Sequence, residues 1–337
     1  MFDLETEPAR GAFLDPSLLR LTGLELLRTY LAGDDPWAPI AHLTGMHPTQ
    51  VDLGTATCVM PLSEWLCTTT DVISPAALLI PADSALGSAI HTTLPAATLY
   101  TTAELSMTWV RPVAPGGHIT VVGECVYTSP TLGLSTARVT DDAGRLVAHA
   151  TSRCIVFPPL REVPEPADTA PLVRGPARPD PYTRPLNGDV PGAGTDRSGR
   201  ARLDARRRGE LPRAPIERLF GLTLDDVGDG TATVSAPRSR WLCGPAGNLQ
   251  GGVLAVVAHR AAFAAAETTV GPGGNLLAVD LKVNLLRPVP PSDASLSARG
   301  KVTHRGRASV LSTGTVRNAD GRAVALLTAS SAAPPIA

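Results

Sequence analysis

The chain has 337 residues, enough for two ordinary domains that each bury a core. Its formal net charge of −1 provides neither a basic field for nucleic acid nor an acidic tail. The five cysteines lack the spacing of metal ligands and suit a reducing cytosol better than a disulfide framework. With no apolar signal region and no apolar run near the roughly 20 residues that span a bilayer, we predict a cytoplasmic protein with no membrane partner.

In chain order, the first predicted element is a leucine-rich helix over residues 16–32, stopped by Gly33-Asp34-Asp35-Pro36. A short helical stretch over 39–45, a strand ending near Pro61 and a polar loop with Trp65-Leu66-Cys67 follow. An Ala/Leu-rich helix is predicted over 76–92. Four alternating strand segments then close the unit, at 99–109, 117–128, 133–141 and 146–157.

Residues 158–212 are rich in Pro, Arg, Gly and Asp and are predicted to form a linker. Such a composition cannot bury enough apolar surface to offset the entropy lost on ordering. The basic run 197–213 is open to a role as a patch for an anionic partner. A solvated linker face is the favoured interpretation, because acidic residues such as Glu210 dilute the run.

The same elements then recur in the same order. A short helix at 215–221, a strand ending near Pro237 and a helix at 251–267 precede strand segments at 276–286, 294–304, 308–318 and 323–330. At an offset of 176 residues, the loop Trp65-Leu66-Cys67 matches Trp241-Leu242-Cys243, although the chain holds only 4 Trp and 5 Cys. We therefore predict a duplicated α+β domain in which an antiparallel sheet packs on one helix, arranged as a pseudo-dimer. The predicted limits are 1–157 for the first unit with its leading helix, 158–212 for the linker and 213–337 for the second unit.

Several motifs of this duplicated unit resemble the PaaI-type hotdog thioesterases, which hydrolyse acyl-coenzyme A. Copy 1 carries Asp83-Ser84-Ala85-Leu86-Gly87 and Tyr100-Thr101-Thr102, copy 2 carries Gln250-Gly251-Gly252, and both end a strand with Arg-Pro. The resemblance covers residues 17–157 and 214–331. It implies two tandem hotdog domains forming an intramolecular pseudo-dimer, an acyl-CoA or acyl-carrier thioester as substrate, and no cofactor or metal. It leaves open a homo-oligomer of double-hotdog chains, because hotdog dimers often pair again.

In that family the active site lies between two hotdog units. One unit supplies a His-Gly-Gly sequence whose glycine N–H, at a helix start, binds the thioester carbonyl oxygen. The other supplies an acidic residue that activates water or attacks the acyl carbon, together with a Ser or Thr. Copy 1 has Ser74-Pro75-Ala76 in place of His-Gly-Gly, and proline has no N–H to donate. Copy 2 has lost the other half, with His259 and Ala278 at the acidic and hydroxyl positions.

Each copy thus retains the half that the other has lost, so the resemblance implies one composite site per chain. Its implied catalytic residues are Asp83, Thr102 and Gly251, and its implied substrate-binding residues are Gln250, Gly252 and Asn248. Asp83 would be the general base or nucleophile and the Gly251 N–H the oxyanion donor. The mirror site, with Pro75, His259 and Ala278, lacks the N–H donor, the acidic residue and the hydroxyl.

Structural interpretations compete with each of these roles. Asp83 could cap a helix begun at Pro81, and Thr102 could be an ordinary strand residue. The two glycines could only permit close packing, and His259 could be structural. The family Asn six residues before the His also maps to Gly244. The alternative functions are a catalytically decayed acyl-thioester-binding or scaffold protein and, ranked last, a hotdog dehydratase or hydratase, which would use a His with an acidic partner.

Overall fold

The computed structural model describes residues 2–32, 37–165, 172, 178–186, 196–291 and 295–333. The predicted stop of the leading helix, Gly33-Asp34-Asp35-Pro36, lies outside these residues. Within them, no helix is long and apolar enough to cross a membrane.

The first unit begins with helices α1 (Gly23–Ala32) and α2 (Pro39–Thr44) and strands β1 (His47–Asp52) and β2 (Thr55–Pro61). Its central helix α3 (Leu79–His91) is preceded by a 3-10 turn at Pro75–Leu78. Strands β3 (Tyr100–Trp109), β4 (His118–Thr128), β5 (Leu132–Asp141) and β6 (Leu146–Val156) complete it. The predicted helix at 76–92 and the four predicted strands are confirmed within a few residues.

The second unit repeats this order. It contains α4 (Gly199–Arg207), α5 (Pro215–Leu219), β7 (Thr223–Gly228), β8 (Thr231–Ala236) and the central helix α6 (Gly251–Glu267). Strands β9 (Leu277–Leu285), β10 (Leu296–Arg305), β11 (Ser309–Arg317) and β12 (Ala323–Ala332) follow. The predicted helix at 251–267 is confirmed at both ends.

The twelve strands of the described residues form one antiparallel sheet in the order β1-β2-β4-β5-β6-β3-β9-β12-β11-β10-β8-β7. The halves join where β3 pairs with β9, with Ser106 opposite Lys282, the residue 176 positions later in the sequence. A pseudo-twofold axis therefore passes between these two residues. The predicted α+β fold of two tandem hotdog units in an intramolecular pseudo-dimer is confirmed.

Each central helix is wrapped by its own half of the sheet and is buried along most of its length. Strand β4 passes so close to α3 that a Cβ at Gly123 would lie 2.5 Å from the Ala85 carbonyl oxygen. The counterpart in the second unit is Gly300 on β10, where a Cβ would lie 1.9 Å from the Ala261 oxygen. Glycine at both places permits the sheet to close tightly on the helix.

Helix α4 corrects the predicted linker. It lies within 158–212, yet Leu203 and Ala205 are fully buried, and the Gly199 N–H donates to the Val270 carbonyl at 2.8 Å. In the first unit Gly23, which begins α1, donates to the Leu94 carbonyl at 3.0 Å, and both residues are 176 positions earlier. Residues 199–207 are thus the second copy of the leading helix, so the linker assignment is wrong for them. The expectation of a solvated basic face is also wrong at Arg202 and Arg206, which are buried.

Candidate functional site between the two units

Asp83 lies on the central helix α3, where the two units meet, and only 8% of it is exposed. Its Oδ1 accepts a hydrogen bond from the Thr102 hydroxyl at 2.9 Å. Its Oδ2 accepts one from the Gly252 N–H, across the interface, at 3.0 Å. The structure therefore brings the acidic residue and hydroxyl of copy 1 together with the glycines of copy 2, as the composite arrangement requires.

Burial and hydrogen bonding act in opposite directions on the Asp83 carboxyl. Desolvation raises its pKa above the ordinary value of 3.8, while hydrogen bonds from Thr102, Gly252 and Gly251 lower it. The desolvation effect is the larger, so the pKa is raised. A carboxylate with a raised pKa is a stronger base than one in water.

The interpretation of Asp83 as a helix cap is wrong. Pro81 lies inside α3, which begins at Leu79 after the 3-10 turn, so Asp83 is the fifth residue of the helix and not its cap. Its carboxylate is hydrogen-bonded to a strand of its own unit and to a helix of the other unit. Its contacts connect the two units.

Thr102 lies near the start of β3, where the pairing with β6 changes register between Thr102 and Glu104. Such irregularities redirect a side chain relative to regular strand alternation. The Thr102 hydroxyl donates to Asp83, so strand packing alone does not account for this residue. Tyr100, two residues earlier in the strand, has a raised pKa. Burial is the main cause, and the charge of Asp83 adds a smaller effect.

Gly251 and Gly252 are the first two residues of α6, and Gln250 precedes them in an extended conformation. A Cβ at Gly252 would lie 2.6 Å from the Leu79 carbonyl oxygen, so this glycine permits close contact between the two central helices. A Cβ at Gly251 would instead lie 3.0 Å from Asp83 Oδ2 and 2.7 Å from Leu285 Cδ1. The packing interpretation therefore holds for Gly252, which is also a donor, whereas Gly251 faces the carboxylate.

Gln250 anchors the helix start of copy 2 to copy 1. Its Nε2 donates to the Ile80 carbonyl at 2.9 Å and to the Ser84 hydroxyl at 2.8 Å. Its Oε1 is buried without a hydrogen-bond partner among the described residues. Ser84 was not predicted as a site residue, and only its position next to Asp83 in the sequence could have indicated it.

Asn248 lies in the loop before α6, and its backbone carbonyl accepts a hydrogen bond from the Gly244 N–H at 2.9 Å. The hydrogen bonds to Asp83 come instead from Thr102, from Gly252 and, with a smaller effect on its pKa, from Gly251. Gly244 lies beside Gln250, because a Cβ at Gly244 would be 3.8 Å from Gln250 Cβ. The structure thus places Asn248 in the loop that precedes α6 and Gly244 next to Gln250.

At the mirror position, Pro75, His259 and Ala278 line a cavity of about 510 Å³. The His259 ring lies 5.5 Å from the Trp109 ring and 5.5 Å from the Phe263 ring. Burial, together with the charge of Arg260, lowers the pKa of His259 to about 4, so the imidazole is neutral near pH 7. At this position His259 replaces the carboxylate of Asp83, and Ala278 replaces the hydroxyl of Thr102.

Comparison with known proteins supports the fold. Residues 72–148 and 246–325 each match the family model of the thioesterase superfamily. The chain is similar in structure to the tesB protein of Mycobacterium avium subsp. paratuberculosis, with a TM-score of 0.54, 14% identity and coverage of 88% of this chain and 98% of that one. It is also similar to an acyl-CoA thioesterase II of Mycobacterium marinum, with a TM-score of 0.51, 11% identity and coverage of 87% and 96%. A hotdog-fold protein of unknown function from Alicyclobacillus acidocaldarius gives a TM-score of 0.52 at 14% identity, with coverage of 87% and 97%.

At these identities the structural similarities establish the tandem hotdog fold alone. Among curated proteins, none matches the sequence.

Proposed function

We propose that this chain hydrolyses an acyl-CoA or acyl-carrier thioester at one composite site between its two hotdog units. The observation that carries the proposal is the hydrogen bonding of one buried carboxylate by both units, Thr102 from one side and Gly252 from the other. The thioesterase-superfamily match over both units supports the same reaction class. The closer kinship with PaaI-type thioesterases rests on the Asp83 and Gly251-Gly252 motifs and is part of the proposal.

In this proposal Asp83 is the general base or the nucleophile. As a base it takes a proton from water while the water oxygen attacks the thioester carbon, and the C–S bond then breaks to release the thiol. As a nucleophile its oxygen attacks the same carbon, the C–S bond breaks to release the thiolate, and an anhydride forms. Water then hydrolyses the anhydride, which regenerates the Asp83 carboxylate and frees a proton that the thiolate takes up. The raised pKa favours either role, because it makes the carboxylate more basic.

In this proposal the two N–H groups at the start of α6 have different acceptors. Gly252 donates to Asp83 with good geometry and holds the carboxylate in place. Gly251, the first residue of α6, has a smaller effect on Asp83 than Gly252 has. In this proposal its N–H turns to the bound carbonyl oxygen as negative charge develops there, assisted by the helix dipole. Thr102 and Gln250 act as positioning residues, the first on the carboxylate and the second on the helix start.

The His259 position does not support a dehydratase or hydratase. That chemistry would pair a histidine with a carboxylate in one site, but His259 packs against the Trp109 and Phe263 rings. The two glutamates that line the same cavity, Glu217 and Glu267, are both paired with Arg260.

The proposal is tested by incubating the purified protein with a panel of acyl-CoA thioesters of varied chain length and measuring free thiol. We expect saturable thiol release with at least one member of the panel. Saturable binding without thiol release above the spontaneous rate would instead identify a catalytically decayed acyl-thioester-binding protein.

Removing the Thr102 hydroxyl is expected to slow the reaction without unfolding the protein. Thr102→Val keeps the side-chain shape but loses the hydrogen bond to Asp83 Oδ1. A hydrogen bond to a charged group contributes about 1.5–3 kcal/mol, so kcat should fall by about tenfold to a hundredfold. Thr102→Ser, which keeps the hydroxyl, should retain most of the activity. Equal rates for the Val variant and the native protein would show that this hydroxyl has no role.

The pH dependence of kcat/KM should report the raised pKa of Asp83. The carboxylate is the active form, so kcat/KM should fall as the pH drops through an acid limb whose midpoint lies above 3.8. Thr102→Val should shift this limb to higher pH, because the lost hydrogen bond lowers the pKa in the native protein. A rate profile measured from about pH 3 to about pH 8 checks both points, and a midpoint at or below 3.8 would contradict the assignment.

A further inference from the structure

The mirror cavity is a well-formed cavity at the position equivalent, in the other half of the pseudo-dimer, to the Asp83 site. Its volume of about 510 Å³ lies within the range of small-molecule sites. Ala278 lines it at the position where the other half of the pseudo-dimer has Thr102, so the hydroxyl that binds the carboxylate there is absent here.

One wall of the mirror cavity is apolar and aromatic. Leu78 and Trp109 of the first unit face Phe263 of the second, with the neutral His259 ring between the two aromatic rings. Phe263 and His259 are stacked at an interplanar angle of 23°. Such a wall favours an alkyl chain or an aromatic ring.

The other end of the mirror cavity is cationic. Helix α4 supplies Arg202 and Arg206, α6 supplies Arg260, and the exposed Arg111 follows β3, so among the described residues four guanidinium groups line the cavity with two carboxylates, Glu217 and Glu267. Both carboxylates are paired with Arg260. The positive charges of the lining therefore outnumber the negative ones.

Arg206 is the guanidinium of α4 that has an unsatisfied donor. Arg202 donates to two backbone carbonyls, at 2.9 and 3.0 Å. Arg206 donates through Nη2 to the Thr69 hydroxyl at 2.9 Å, while its Nε is buried without a hydrogen-bond partner among the described residues. Only 8% of Arg206 is exposed. A buried cation with a free donor is costly unless an anion satisfies it.

We infer that the mirror cavity is a second, non-catalytic binding site for a small amphipathic carboxylic acid. The carboxylate pairs with the Arg206 guanidinium, which lines the cavity and has a donor without a partner among the described residues. The alkyl or aryl body packs on Leu78, Trp109 and Phe263. The acid released by the proposed hydrolysis belongs to this chemical class, but the binding site stands on its own residues and does not depend on that reaction.

The test is titration calorimetry with octanoate, carried out on the full chain without any thioester. We expect saturable binding of one octanoate per chain and at least tenfold weaker binding of octanol, which has the same chain but no charge. Arg206→Gln should weaken octanoate binding by about tenfold to a hundredfold, since it removes a charge-assisted hydrogen bond. Arg207→Gln is the matched control, because Arg207 is the next residue of α4 but is exposed, and it should bind octanoate as the native chain does.

A second variant keeps the proposal testable if Arg206→Gln fails to fold. Ala278→Phe fills the cavity from β9 and should abolish octanoate binding while leaving Arg206 in place. No saturable octanoate binding by the native chain, equal binding of octanol, or unchanged binding in a folded Arg206→Gln or Ala278→Phe protein would each overturn the proposal. Because no step requires thiol release, failure of the proposed hydrolysis leaves this outcome unaffected.

Discussion

Asp83→Asn is expected to lower kcat for thioester hydrolysis by about a hundredfold or more, the scale of losing a positioned acid or base. Asparagine has nearly the same shape and can still accept from the Gly252 N–H and bond to the Thr102 hydroxyl. It cannot take a proton from water or act as a nucleophile. Steady-state thiol release from the best acyl-CoA of the panel measures the effect.

The stability of the same variant separates catalysis from folding. Because the folded-state pKa of Asp83 is raised, its protonation stabilises the fold below pH 3.8, and that contribution is lost as the pH rises through the folded value. At pH 7 the native chain holds a buried charge that Asn lacks. We therefore expect the Tm of Asp83→Asn to equal or exceed the native value.

His259→Asn is the matched control for Asp83→Asn, because it places the same residue at the equivalent position of the other unit. It should change kcat little. Loss of turnover in His259→Asn, with native turnover in Asp83→Asn, would reverse the assignment of the active half.

Gly251→Pro is expected to lower kcat by about 10²–10³-fold, the typical effect of removing one oxyanion donor. Proline at the first position of a helix is well tolerated. The preceding Gln250 already has φ −65° and ψ 142°, the extended conformation that a following proline favours. The fold should therefore persist, which circular dichroism can check.

Gly251→Ala is the control that isolates the N–H group. A Cβ at this position would lie 3.0 Å from Asp83 Oδ2, so either substitution crowds the carboxylate, while Leu285 can rotate away. Alanine keeps the N–H and proline removes it. We expect kcat of the Pro variant to be at least tenfold below that of the Ala variant. Equal rates would assign the loss to crowding and remove Gly251 as the donor.

The sequence repeat predicted two equivalent units and the positions that correspond in them. The offset of 176 residues sets Ser74-Pro75 against Gln250-Gly251 and Asp83 against His259. The resemblance to PaaI-type thioesterases supplied the further expectation that the acidic residue of one unit lies beside the glycines of the other. The hydrogen bonds of Gln250 to Ile80 and Ser84 could not be derived, because they depend on side-chain direction across the interface.

Helix α4 was missed because its composition differs from that of its counterpart. Helix α1 is rich in leucine, whereas α4 reads GRARLDARR and buries Leu203 and Ala205 beside two arginines. Those arginines are buried because α4 packs against β7 and α6, a tertiary contact that composition does not reveal. Recurrence of Gly23 as Gly199, at the same offset as the other matches, was the signal that could have identified the helix.

The most direct test of the composite site is a crystal structure with an acyl-CoA analogue in which a methylene replaces the thioester sulfur. This ketone keeps the carbonyl but cannot be hydrolysed. We expect its carbonyl oxygen about 2.7–3.1 Å from the Gly251 nitrogen, with the Asp83 carboxylate beside the carbonyl carbon. A carbonyl bound beside Pro75 and His259 in the mirror cavity, with the Asp83 cluster unchanged, would contradict the account.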